Sequence, residues 1–92
     1  ILATEKENPF SAYVAFPNPA TDFLNVGLPQ AMVGTYAIEI IDMHGRIFLT
    51  DKIHLEPGAN QLKIDISKIP VGTYLVRLPE IVNQPSMKFI KN

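Results

Sequence analysis

The chain of 92 residues has no cysteine, no tryptophan and only two histidines, His44 and His54. Without thiols there can be no disulfide, no thiolate metal site and no cysteine nucleophile, so folding rests on packing and backbone pairing. No apolar run approaches the roughly 20 residues that a membrane helix requires. Charge of one sign is also lacking: 8 Lys and Arg face 9 Asp and Glu, for a net charge of −1. The basic residues are scattered, with neither a stripe nor aromatics interleaved with arginine, which argues against nucleic acid or an anionic membrane as principal partner.

Room for a helix is missing as well. The 8 Pro and 5 Gly leave hardly any window of helical length without a breaker, whereas short branched runs recur in a chain that is 47% hydrophobic. A chain of this length makes one small domain that buries roughly two-thirds of its unfolded surface. Together these features predict an all-β domain with almost no helix.

The chain opens on Ile1 rather than Met, which suggests an excised or processed piece of a longer protein. Residues 1–12, polar and broken by Pro9, read as a linker or loosely attached arm, and residues 13–92 as the folded domain. A short strand over residues 13–16 is stopped by Pro17. Pro17, Asn18 and Pro19 then begin a rigid turn in which two prolines fix φ and Asn18 can bond its own backbone. Leu24, Val26 and Leu28 alternate with Phe23, Asn25 and Gly27 as a half-buried strand that Pro29 ends, and residues 30–35 form a connection.

A central hairpin follows over residues 36–49. Asp42 opens a type I turn with its carboxylate free to accept from the backbone ahead, and Gly45 takes the left-handed position. With Ile41 opposite Arg46, Ile40 faces Ile47 and Ile38 faces Leu49, which puts Glu39 and Phe48 on the other side. The second strand runs on toward Leu55, with a bend or bulge expected at Asp51 and Lys52 and a turn at Pro57 and Gly58. Leu62, Ile64 and Ile66 then give the cleanest period-two alternation in the chain.

Gly72, two residues before Tyr74 at the head of the strand Tyr74, Val76, Leu78, resembles the tyrosine corner of Greek-key sandwiches, where the phenol bonds to backbone just upstream. An irregular loop over residues 79–85 leads to a last strand, 86–91. About seven strands at intervals of about 8 to 12 residues predict a two-sheet antiparallel sandwich.

Catalytic chemistry has few candidates. Asp42 with His44, and His54 with Glu56, each place two metal-capable side chains close together, but no third ligand is visible. The serines occupy no nucleophile-elbow setting, and neither a phosphate-binding glycine loop nor a dense acidic calcium loop is present. No catalytic residue, metal or cofactor is therefore assigned. What remains is recognition through edges and exposed patches. Lys88 and Lys91 on the terminal strand either guard an edge against aggregation or belong to a docking strand.

Taken in order, the residues Phe16-Pro17-Asn18-Pro19-Ala20-Thr21-Asp22-Phe23-Leu24, Asp42-Met43-His44-Gly45-Arg46, Ile69-Pro70-Val71-Gly72-Thr73-Tyr74 and Lys88-Phe89-Ile90-Lys91 resemble the C-terminal sorting domain of type IX secretion cargo in Bacteroidetes. The resemblance runs over residues 13–92. It implies an immunoglobulin-like β-sandwich appended to a secreted enzyme or adhesin, non-catalytic itself. It also implies transit through the periplasm and recognition by an outer-membrane translocon. Removal by a sortase-like peptidase near residues 1–12 and attachment of the upstream cargo to the cell surface complete the expectation. Recognition then falls on Pro17, Asn18, Pro19, Gly45, Gly72, Tyr74, Lys88 and Lys91.

A second reading stays open at this point: a retained accessory module that binds carbohydrate or packs on a catalytic domain. It requires an exposed row of aromatics on one sheet, and this chain has 3 Tyr and 5 Phe with which to build it.

Overall fold

The computed structural model describes residues 12–81 and 83–92, so all but the last residue of the expected linker lies outside the described residues. Five antiparallel strands form one curled sheet: β1 (Val14–Phe16), β2 (Phe23–Asp42), β3 (Ile47–Asp65), β4 (Gly72–Arg77) and β5 (Ser86–Lys91). No helix occurs among the described residues, as the density of breakers requires.

Seven strand-like segments become five strands because two pairs are continuous. The segments around residues 24–28 and 36–42 are the two ends of β2, and those around 47–55 and 62–65 are the two ends of β3. Neither Pro29 nor Pro57 ends its strand, contrary to the sequence reading. Both stand where the ladder is irregular: the β2–β3 register breaks between Gly27 and Met32 and again between Met32 and Gly34. A missing N–H costs little where no regular ladder bond is due. Gly34 and Gly58, both at positive φ, carry the two chains round the bend.

That bend sets the architecture. Along one edge β2 has β3 at both ends, with the ladder broken at the bend; along the other it has β1 beside residues 25–27 and β4 beside residues 39–42. Between them no strand among the described residues pairs β2, although Glu80 Oε1 accepts the Ala37 N–H at 2.8 Å just past the end of β4. β5 lies on β4, and Arg77 ties β4 to β2 through Glu39 at 2.6 Å.

Alternation decides the core. Leu24, Val26 and Leu28 come from one end of β2, Ile38 and Ile40 from the other, Leu62 and Ile64 from β3, Tyr74 and Val76 from β4, and Met87 and Phe89 from β5. Burying a large aliphatic side chain contributes about 1.5–3 kcal/mol, so these positions outweigh any surface contact.

The central hairpin differs from its expected register. Asp42 pairs with Arg46 across a three-residue loop, its N–H donating to the Arg46 carbonyl at 2.9 Å, so Ile41 faces Ile47. One step on, Ile40 faces Leu49 and the ladder skips Phe48. The expected bulge thus falls here, while Asp51 and Lys52 pair regularly with Ile38 and Ala37. Two residues opposite one turn both side chains toward the same layer. Phe48 and Leu49 accordingly both pack against the core, and Ile47 is left exposed.

Candidate functional site

Residues flagged far apart in sequence gather at one end of the sheet. The first gathering joins the proline turn to the last strand. Ala20 donates to the Ile90 carbonyl and accepts from the Asn92 N–H, both at 2.8 Å, and the Asn18 side-chain oxygen accepts from the Ile90 N–H at 2.9 Å. Prolines on either side of Asn18 make this possible, since the segment cannot enter a ladder of its own and offers a side chain instead. The peptide bonds before Pro17 and Pro19 are both cis. Asn18 bonds the end of β5 rather than its own backbone. Residues 18–20 thus act as a short strap along the outer edge of β5, and Ala20 at its end is wholly buried.

The two lysines of β5 take different roles. Lys88 is exposed opposite Leu75, away from the strap. Lys91 shares the inward phase of Met87 and Phe89, is 7% exposed, and turns its ammonium onto the main-chain oxygen of Asn92 at 3.2 Å. A lysine in phase with core residues was the sign in the sequence that it would not be a surface charge.

The second gathering is a turn against a corner. Asp42 Oδ1 accepts the N–H groups of His44 and Arg46, each at 2.9 Å, and Gly45, at φ 86°, closes the loop. Opposite it the Tyr74 hydroxyl donates to the Pro70 carbonyl at 2.7 Å, the tyrosine corner expected from the sequence. Tyr74 stacks on Phe89 at 5.8 Å and meets the Phe48 ring edge-on at 5.3 Å. Register links the two gatherings, with Asp42 beside Tyr74 on β4 and Gly72 beside Lys91 on β5. Gly72 itself is under no backbone constraint, since a Cβ there would meet the Tyr74 ring at an ordinary 3.6 Å.

Burial pushes the Tyr74 phenol above its usual range, with the Asp42 charge adding to it, so the hydroxyl stays a donor at neutral pH. Tyr74→Phe is expected to lower stability by about 1 kcal/mol in urea melts, because it removes the corner bond and leaves the ring packing intact.

Asp42 moves the other way. The Arg46 N–H it accepts, more than any other contact, holds its carboxyl below the ordinary value against an opposing effect of burial. Asp65 is depressed likewise, first by the Ser67 hydroxyl and then by the Ser67 N–H. A depressed carboxyl contributes stability that is present above its unfolded-state pKa and lost as pH falls through the folded one. Stability should therefore decline between about pH 5 and pH 2, and Asp42→Asn, which still accepts but cannot titrate, should flatten that slope in melts across the pH series.

Neither His44 nor His54 belongs to a cluster of three or more metal-capable side chains among the described residues. His54 contacts Thr35 through Nδ1 and Glu56 through Nε2, each at 3.2 Å, on an exposed surface. An exposed row of aromatics is also missing among the described residues. Among the described Phe and Tyr residues Phe23 is the one exposed ring, and the Lys63 ammonium lies 4.2 Å over it. The sequence reading did not single out Ala20, Met43, Arg46, Phe48 or Val71 as parts of a site.

Fold and site define a small all-β module with its distinctive residues collected at one pole, around the end of its last strand. A family model described as the secretion system C-terminal sorting domain matches residues 14–92, and the chain belongs to that family, the sorting domains of type IX secretion. No match is found among curated proteins.

Proposed function

We propose that this chain is a non-catalytic address domain that takes an upstream cargo protein across the outer membrane through the type IX translocon and on to the cell surface. In this reading the domain occupies residues 13–92, and residues 1–12 join it to the cargo near the cut made by a sortase-like peptidase. The two ends of β2 and β3 serve as the two layers of an immunoglobulin-like sandwich. The machinery reads the pole, with Pro17, Asn18, Pro19, Gly45, Gly72, Tyr74, Lys88 and Lys91 as the residues that shape or present it.

The observation that carries this reading is the strap. Residues 18–20 and 90–92, from opposite ends of the domain, are bonded into one surface that exists only in the folded state. A folded address suits capture by a partner, because its elements are ordered before binding and little entropy is lost on contact.

A reporter fused ahead of this chain in a type IX-competent bacterium should appear at the cell surface. Deleting residues 86–92 should abolish that export. Undiminished surface delivery after the deletion would overturn the reading.

A further inference from the structure

We propose that the groove between the 42–46 turn and the 70–74 corner docks a partner-protein segment presenting a carboxylate beside a branched aliphatic side chain. This deepens the sorting reading, on which it rests for the partner's identity, by naming the chemistry the partner must offer. The groove has a volume of about 470 Å³. Met43 on one wall is 55% exposed and Val71 on the other is 73% exposed, two apolar side chains on turn residues where the fold asks for none. Phe48 is between them, its ring held edge-on by Tyr74.

Arg46 supplies the charge. Its guanidinium carbon is 5.0 Å from the centre of the Phe48 ring, and its Nε donates to Asp42 Oδ2 at 3.4 Å. Ring and carboxylate together orient the guanidinium plane, while the side chain remains 75% exposed. The two terminal nitrogens, which together can take a carboxylate through parallel bonds, have no partner among the described residues. Asp42 engages the guanidinium through Nε alone, since its other oxygen is taken by two backbone N–H groups, and so leaves the terminal nitrogens to an incoming anion.

The match is to one carboxylate. Arg46 is the only lysine or arginine among the described residues lining the groove, and Asp42 beside it already offsets its charge, so a dianionic phosphate would meet more repulsion than a single carboxylate. Apolar walls on both sides then favour an aliphatic neighbour over a polar one.

The test is a titration of the isotope-labelled chain followed by amide NMR, using N-acetyl-leucine as the smallest probe with both features. Shifts should be confined to residues 43–48 and 70–74, and N-acetyl-leucinamide, lacking the carboxylate, should bind about tenfold more weakly. Arg46→Gln, at an exposed position that leaves the fold alone, should erase the difference between the two probes, and Val71→Ser should weaken both. Equal binding of acid and amide, absence of shifts, or inorganic phosphate matching the acid at the same residues would each overturn the proposal. In the export assay, a wild-type fusion at the surface together with an equally exported Arg46→Gln, Val71→Ser double variant leaves the sorting reading standing and removes the groove from it. A wild-type fusion that stays inside removes the sorting reading instead, and the titration decides the groove by itself.

Discussion

Phe89→Ala is expected to lower the unfolding free energy by about 3–5 kcal/mol, measured as a shift of the urea midpoint at unchanged slope. Phe89 heads the fully buried side chains by volume and has no exposed surface at all. It stacks on Tyr74, and its neighbours on β5, Met87 and Lys91, face the same way. Its stacking partner Tyr74 is held back from the space by its corner bond to Pro70. Against the roughly 5–15 kcal/mol typical of a small domain, such a loss leaves little margin. A change below about 1 kcal/mol would mean that β5 is peripheral to the core, contrary to the packing described.

Ala20→Leu is the second large effect, expected to cost about 1–3 kcal/mol through overpacking. Ala20 has no exposed surface, and its N–H and carbonyl are both engaged by the end of β5, so a longer side chain has to lift the strap. The damage should be local. Amide hydrogen exchange should accelerate at Ile90 and Asn92, whose N–H groups donate to Asn18 and Ala20, while Val76 inside the β4 ladder keeps its protection. Uniform acceleration across β4 would show that strap and sheet open as one unit.

Much of this was written in local sequence. The Asp42 turn, the left-handed Gly45, the alternation of Leu62, Ile64 and Ile66 and the corner at Tyr74 each depend on a few neighbouring residues, and each is present. Register was less legible, because skipping Phe48 is decided by its packing on Tyr74, a residue of another strand. Pro29 and Pro57 read as strand ends, since a sequence does not reveal that the ladder is already broken where they fall. The bond from Asn18 to Ile90 joins residues 72 apart, a separation no local pattern encodes. The groove was hidden for the same reason, its two walls coming from a hairpin loop and a distant corner.

The latch between residues 18–20 and 90–92 also has a consequence during synthesis. Residues 18–20 leave the ribosome before β2 to β5 and must wait, without these partners, while those strands follow. Only when residue 92 has cleared the exit tunnel can the two halves meet. A polypeptide cut short before residue 90 never acquires this joint.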